Sequence, residues 1–226
     1  MDIVNSDSYA NTAIGQVFTP LKWALWAIEK GPYKDWLAGG VILDPTGGSG
    51  VFLEAFISKA QSEGRRITNE MLQRLFMVEI DAKLCNDAIV RLKTQYEIEI
   101  PESNIVNDDF FNVQLPIRAT SIVGNPPWIN FTELPRAYKD FIKPFFIHFG
   151  LVPDLRKVLW GGSRVDLAAA VLAKCVQDHC SESASILFYL PLSLFMNDGA
   201  HHALRELAFA HAAFGIEEIH DLTHIK

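Results

Sequence analysis

Apolar, strand-like runs and amphipathic helical segments alternate along this 226-residue chain. We predict four strands, VILD, RLFMVEID, NIVND and ATSIVG, with helices GVFLEAFISKAQSEG and AKLCNDAIVRLKTQY between the first three. Strands that alternate with helices favour a mostly parallel sheet covered by helices on both faces and wound right-handedly. The predicted fold class is therefore α/β.

Further elements are predicted on either side of these strands. Thr19 is predicted to cap a first helix that starts at Pro20 and stops at Gly31. After the fourth strand we predict helices around LPRAYKDFIKPFFIHFG and RVDLAAAVLAKCVQDHC, a strand ASILFYLPL, a helix GAHHALRELAFAHAAF and a last strand IEEIHDL. The stretch LVPDLRKVLWGGS, residues 151–163, is predicted to be a loop near the carboxyl edge of the sheet.

Composition narrows the class of protein. With 49% hydrophobic and 21% charged residues, the chain suits one globular domain with a substantial core. No apolar run reaches the roughly 18 residues that a membrane span needs, and the N-terminus lacks the pattern of a signal peptide. We therefore expect a cytoplasmic protein without a membrane partner. The net charge of −7 argues against an extended surface for a polyanion.

The cysteines and histidines do not suggest a metal centre. The chain has three cysteines, Cys85, Cys175 and Cys180, and an odd number does not suggest a disulfide framework. Cys175 and Cys180 have no second pair of ligands at the spacing of a zinc site, so we interpret the cysteines as buried thiols. Three histidines of the predicted helix near the C-terminus, His201, His202 and His211, have spacings that suit a helix surface better than a ligand set. No bound metal is expected.

The segment DPTGGSG, Asp44 to Gly50, joins the first predicted strand to its helix. Glycines in such a turn let the backbone approach a ligand, and the helix that follows offers free N–H groups. No lysine follows the final glycine, and the spacing is not that of a dinucleotide fingerprint, so a phosphate site is not indicated. The structural alternative for this segment is a tight turn that binds nothing.

Acidic side chains follow the next two strands. Glu79 ends the second strand, where a carboxylate can accept the hydroxyls of a ribose. Asp109 and Phe110 follow the third strand and could bind an exocyclic amine and cover a purine ring. A solvated carboxylate and a helix-capping aspartate are the structural alternatives. Together with the glycine turn, these residues describe a pocket for a nucleoside with an amino-acid tail, and S-adenosylmethionine is such a molecule.

Five motifs in one order carry a resemblance to a known family. GQVFTP, ILDPTGGSGVFL, FMVEID, NDDFF and GNPPW resemble the leading motifs of the adenine-N6 DNA methyltransferases of restriction-modification and related phage-defence systems. The resemblance implies a Rossmann-like, class I S-adenosylmethionine-dependent methyltransferase domain over residues 1–226. It implies cofactor binding by Phe18, Thr19, Pro20, Asp44, Pro45, Gly48, Ser49, Gly50, Glu79, Ile80, Asp109 and Phe110. It also places Asp166, in the motif RVDLAAAVL, near the site.

The NPPW segment has a chemical role in this resemblance. The nitrogen lone pair of an adenine amine is delocalised into the ring, so a catalyst must draw it out of the plane. The side-chain oxygen of Asn125 and the carbonyl of Pro126 would accept the two N6 hydrogens, while Pro127 restricts the backbone. Trp128 would stack on an adenine extruded from the duplex.

The expected function is therefore methyl transfer to adenine N6 in DNA, with two alternatives. Protein-glutamine and RNA-adenine methyltransferases also use an Asn-Pro-Pro-aromatic motif, and the chain could instead be a non-catalytic module with this fold. We expect a C-terminally incomplete domain in which the sixth strand closes near Lys226 and the target-recognition domain is absent. DNA would then be bound through a missing domain or a second chain.

Overall fold

The computed structural model describes residues 18–151, 165–196, 204, 206–210 and 212–222. Five parallel strands in these residues form one sheet in the order β3-β2-β1-β4-β5. The strands are β1 (Ile42–Asp44), β2 (Leu75–Glu79), β3 (Ile105–Asn107), β4 (Ala119–Gly124) and β5 (Cys180–Phe188). Because β2 and β4 lie on opposite sides of β1, the strand order reverses there. In parallel sheets a crevice forms at such a point, beyond the carboxyl ends of the strands.

Eight α-helices lie in the described ranges. They are α1 (Leu21–Ile28), α2 (Pro32–Leu37), α3 (Val51–Ser62), α4 (Asn69–Leu72), α5 (Ala82–Tyr96), α6 (Arg136–His148), α7 (Leu167–Lys174) and α8 (Ser193–Met196). Short 3₁₀ turns occupy Glu102–Asn104 and Phe131–Glu133, and a π-helical turn, Cys175–His179, continues from α7. Two further short strands, β6 (Ala208–Phe209) and β7 (Ala212–Ala213), form an antiparallel pair.

Both faces of the sheet are buried, as the sequence predicts. Ile42 of β1 packs in a cluster with buried residues of α1 and α3, whereas its neighbour Leu43 packs in a second cluster with α6 and α7. This alternation follows from the pleat of a strand, which points successive side chains to opposite faces. The prediction of a parallel α/β sheet with helices on both faces is confirmed.

The start of the first helix differs from the prediction. Pro20 directly precedes the first helical residue, and the described structure shows no side-chain cap there. The Thr19 hydroxyl instead accepts a hydrogen bond from the side chain of Asn125. The predicted cap by Thr19 is therefore wrong, because its oxygen accepts from Asn125, 106 residues further along the chain.

The fifth strand begins earlier and ends earlier than predicted. It runs from Cys180 to Phe188 rather than over 184–192, and its first residue pairs with Ala119 before a bulge. The pairing with β4 extends the strand through CSES, which has no apolar pattern. The helix predicted to reach Cys180 accordingly ends its α-helical part at Lys174.

The predicted C-terminal helix, residues 199–214, is wrong from residue 206 onward, although Leu204 is helical, and the predicted last strand is wrong over residues 216–222. Residues 208–213 contain the β6-β7 hairpin, and residues 214–222 have no regular structure. Phe209 is buried and its ring stacks on Phe214, with 5.1 Å between ring centroids. His201, His202, His211 and nearly all of the predicted loop at 151–163 lie outside the described residues.

None of the helices in the described residues is both long and apolar enough to cross a membrane.

Candidate active site

A cavity of about 410 Å³ opens at the carboxyl edge of the sheet. Most of the predicted site residues line it: Phe18, Thr19, Pro45, Gly48, Ser49, Glu79, Ile80, Asp109, Phe110, Asn125 and Pro127. The other predicted residues, Pro20, Asp44, Gly50, Pro126 and Trp128, lie beside these in the sequence but are not part of the lining. The segment before α1 and the segments at the carboxyl ends of β1, β2, β3 and β4 therefore meet at one cavity.

The glycine turn after β1 forms one wall of the cavity. Gly48 and Gly50 have φ angles of 52° and 76°, in the left-handed region that favours glycine. A Cβ atom on Gly50 would lie 2.7 Å from the Cβ of Ala88 on α5. The backbone N–H of Gly47 donates to the carbonyl of Val78 at 2.8 Å, which fixes the turn against β2.

Glu79 connects this turn to the segment after β2. Its Oε2 accepts from the backbone N–H of Gly48 at 2.7 Å, and its Oε1 accepts from the N–H of Asp81 at 2.9 Å. Burial raises the pKa of Glu79, and the two backbone donors act in the opposite direction. The carboxylate is thus held at the cavity wall by main-chain groups rather than by a cationic side chain.

Asp44 is fully buried at the end of β1. Its Oδ1 accepts from the backbone N–H of Thr46 at 3.2 Å, whereas its Oδ2 has no hydrogen-bond partner among the described residues. Burial, with a smaller contribution from the charge of Glu79, raises the pKa of Asp44 to about 8. An unpaired buried acceptor is costly, so this position suits a ligand that brings a donor or a positive charge.

Asp109 and Phe110 occupy the opposite wall, and a residue of α6 joins them. The Oδ1 of Asp109 accepts from the N–H of Phe111, and its Oδ2 accepts from the hydroxyl of Tyr138, each at 2.8 Å. Burial raises the pKa of Asp109, while these two bonds lower it. Phe110 lines the cavity although it is only 5% exposed.

The NPPW segment follows β4 and closes the remaining side. The Nδ2 of Asn125 donates to Thr19 Oγ1 at 3.1 Å. The indole of Trp128 is 43% exposed, and its Nε1 donates to the carbonyl of Tyr189 at 3.2 Å. Asn125 is therefore part of the cavity wall. Trp128, three residues further on, presents an exposed aromatic surface.

Several lining residues were missed by the sequence analysis. They come from the turn after β1, from the segment after β3, from the segment before α6 and from α6 itself: Thr46, Gly47, Phe111, Leu134, Pro135 and Tyr138. The amphipathic pattern of α6 predicts a helix but not the cavity that it covers. Asp166, predicted near the site, forms a backbone bridge with Asn130, and the next residue, Leu167, lines the cavity.

The three cysteines are free thiols that are buried or partly buried. Cys85 and Cys175 are buried and Cys180 is partly buried. Across the described ranges, no three His, Cys, Asp or Glu side chains are grouped so that they could hold a metal ion.

The chain has the Rossmann-like α/β fold of the class I S-adenosylmethionine-dependent methyltransferases. A Listeria monocytogenes protein proposed to belong to that class matches 83% of this chain with 50% of its own, at a TM-score of 0.55 and 13% identity. The ATP-dependent Type ISP restriction-modification enzyme LlaBIII, whose structure was solved with bound DNA, matches 87% of this chain with 16% of its own. The TM-score is 0.60 and the sequence identity is 17%. A type I restriction-modification methyltransferase subunit from Streptococcus thermophilus matches 89% of this chain with 40% of its own, at a TM-score of 0.54 and 18% identity.

These matches establish the fold. The chain spans half or less of the length of each of the three structures. No protein-family model and no curated relative matches the sequence.

Proposed function

We propose that this chain transfers a methyl group from S-adenosylmethionine to the N6 amine of adenine in DNA. The observation that carries the proposal is the meeting of two features in one cavity. Asn125 of the NPPW segment and the glycine turn with Glu79 line the same space, although the sequence separates them widely. A site with this arrangement can hold a nucleoside cofactor next to an amide acceptor.

The residues of the cavity fit the proposed cofactor. Glu79 would accept the ribose hydroxyls, while Asp109, Phe110 and Ile80 would contact the adenine ring. Asp44, with its unpaired Oδ2, would attract the ammonium group of the amino-acid tail. Bound there, S-adenosylmethionine supplies a methyl group on a positively charged sulfur. The remaining predicted contacts, to the methionine part, are Phe18, Thr19, Pro20, Pro45, Gly48, Ser49 and Gly50.

Asn125 and Pro126 would act on the target amine. The Asn125 Oδ1 and the Pro126 carbonyl would each accept one N6 hydrogen, so the nitrogen lone pair is directed towards the methyl group. Pro127 limits the backbone motion that would misalign these two oxygens. Holding both reactants in contact then supplies much of the acceleration.

The target adenine would leave the duplex to reach this cavity. Trp128 is exposed beside it and offers a face for stacking, which is worth roughly 1 to 3 kcal/mol per base. The net charge of −7 does not favour broad contacts with the DNA backbone. We propose that another domain or a second chain provides most of the DNA contacts.

A tritiated-methyl assay tests the proposed function. The protein, alone and with the domain or partner proposed to contact DNA, is incubated with labelled cofactor and with unmethylated duplex DNA, RNA or protein. We expect label in DNA, recovered as N6-methyladenine after digestion to nucleosides. Label in RNA adenosine or in protein glutamine would reject the proposed substrate.

Removing the Glu79 carboxylate should weaken cofactor binding. Glu79→Ala is expected to raise the dissociation constant of S-adenosylmethionine by a factor that corresponds to about 1.5 to 3 kcal/mol, because a charge-assisted hydrogen bond is lost. Calorimetry measures this constant, with Glu70→Ala on the exposed face of α4 as the matched control. Equal affinities of the two variants would exclude Glu79 from the cofactor site.

Removing the Trp128 ring should affect paired and unpaired adenines differently. Trp128→Ala is expected to slow methyl transfer more on a matched duplex than on a mismatched target adenine, because an unpaired base costs less to unstack. The rates are compared on two duplexes that differ only in the base opposite the target. Equal losses on both duplexes would show that Trp128 has no part in base extrusion.

A further inference from the structure

We infer that Thr19 is a positioning residue for Asn125, whose amide it holds so that the oxygen, rather than the nitrogen, meets the target amine. The inference rests on the proposed function and deepens it. Thr19 enters the proposed function only as a cofactor contact. The hydrogen bond from Asn125 Nδ2 to Thr19 Oγ1, at 3.1 Å, gives it a second role at the reacting group.

The chemistry of an amide explains why this role is needed. The oxygen and nitrogen of an asparagine side chain have nearly the same shape, and a half-turn about its last torsion exchanges them. An adenine amine offers two N–H donors, which only the oxygen can accept. If the nitrogen faced the amine, two donors would meet and catalysis would be lost. A fixed acceptor on the nitrogen side selects the productive orientation.

The position of Thr19 suits this task. Thr19 lies just before α1 and is separated from Asn125 by 106 residues, so the bond joins two distant parts of the chain at the cavity. Its hydroxyl does not cap α1, although its place before Pro20 would allow a cap. The Thr19 hydroxyl therefore forms its hydrogen bond at the cavity and not with the backbone of α1.

A second connection joins the same two segments. Trp128 Nε1 donates to the carbonyl of Tyr189, and the hydroxyl of Tyr189 donates to the carbonyl of Trp23 in α1 at 2.8 Å. The first residue of the NPPW segment, Asn125, is therefore bonded to Thr19, and its last residue, Trp128, is connected to α1 through Tyr189. This second tie limits the movement of Thr19 relative to Asn125, as an orienting acceptor requires.

Two substitutions separate the hydroxyl from the rest of the side chain. Thr19→Val keeps the shape and removes the acceptor, whereas Thr19→Ser keeps the acceptor. We expect the valine variant to transfer methyl groups about tenfold more slowly or worse in single turnovers, with a cofactor dissociation constant changed less than about threefold. The serine variant should stay within about threefold of the wild-type rate. Thr68→Val, which removes the cap of α4, is the matched control and should leave the rate unchanged.

A spectroscopic readout does not depend on activity. In protein labelled with ¹⁵N-asparagine, the side-chain signals of Asn125 are those missing from Asn125→Asp. We expect Thr19→Val to shift these signals and to speed hydrogen exchange at Nδ2, because the bond to Oγ1 is lost. Signals and exchange rates unchanged by Thr19→Val would overturn the inference, since the nitrogen would then not be bound by Thr19.

The two readouts also separate the inference from the proposed function. A wild-type protein that methylates none of the substrates, in the presence of its partner or completing domain, rejects the proposed function and with it the catalytic reason for the bond. A wild-type protein that is active while Thr19→Val is equally fast rejects the positioning role alone. Loss of activity in Thr19→Ser as large as in Thr19→Val would also reject it, because the serine retains the acceptor.

Discussion

Asn125→Ala is expected to lose methyl transfer by a factor of about 10²–10³ or more, the size of effect seen when one preorganised transition-state contact is removed. The affinity for S-adenosylmethionine should stay within about twofold of the wild-type value. The amide acts on the target nitrogen, so its removal raises the barrier without weakening the ground-state cofactor complex. Single-turnover rates and calorimetry on the same preparations measure both quantities.

Asn86→Ala is the matched control for this substitution. Asn86 is exposed on α5 and is not part of the cavity lining, so its removal should change neither rate nor affinity. Wild-type rates in Asn125→Ala would reject the mechanism as a whole. A large loss of cofactor affinity in Asn125→Ala would show that the amide serves the cofactor instead of the target base.

Asp44→Asn is expected to make the ligand-free protein more stable than the wild type in alkaline solution, and progressively less so as the pH falls. Burial raises the pKa of Asp44 from 3.8 to about 8, so the folded protein holds a proton that the unfolded chain releases. Wild-type stability therefore falls as the pH rises from about 4 to about 8, by up to about 1.4 kcal/mol for each pH unit. Asparagine has no such proton and removes this dependence.

Urea unfolding at pH 5, 7 and 9 measures the effect of Asp44→Asn. The exposed Asp140 provides a control, because Asp140→Asn removes the same charge from the surface of α6. We expect the stability gain of Asp44→Asn to grow with pH and that of Asp140→Asn to change little. Asp44→Asn should also bind S-adenosylmethionine more weakly, since an asparagine, unlike the aspartic acid, cannot ionise when the ammonium group of the cofactor lies beside it. A stability difference that is constant with pH would show that Asp44 is not buried as a neutral acid.

The central part of the fold was predictable from local patterns. The bounds of α5 and β4 agree with the prediction residue for residue, because a capping aspartate, amphipathic spacing and an apolar run mark their ends. The C-terminal part was not predictable in this way. β5 starts in the polar residues CSES, where pairing with β4 determines the strand. The alanine-rich segment around Phe209 favours a helix by propensity, and its tertiary context forms a hairpin instead.

The site was predictable as a set of strand ends but not as a network of contacts. Parallel strands bring their carboxyl ends to one edge, so the turn after β1, Glu79, Asp109 and Asn125 were expected to meet. The bond between Thr19 and Asn125 and the bond between Tyr138 and Asp109 join residues 106 and 29 positions apart. Such pairs depend on how α1 and α6 pack over the sheet, and no local pattern specifies that packing.

Isothermal calorimetry with S-adenosylmethionine tests the central claim most directly. The account predicts saturable binding of one molecule to each chain, with comparable affinity for S-adenosylhomocysteine. ATP and NAD should not compete, because the glycine turn has no lysine for phosphates and the carboxylate of Glu79 would repel them. Absence of any binding by well-folded protein, or displacement of the cofactor by ATP or NAD, would contradict the claim that this cavity is a methyltransferase cofactor site.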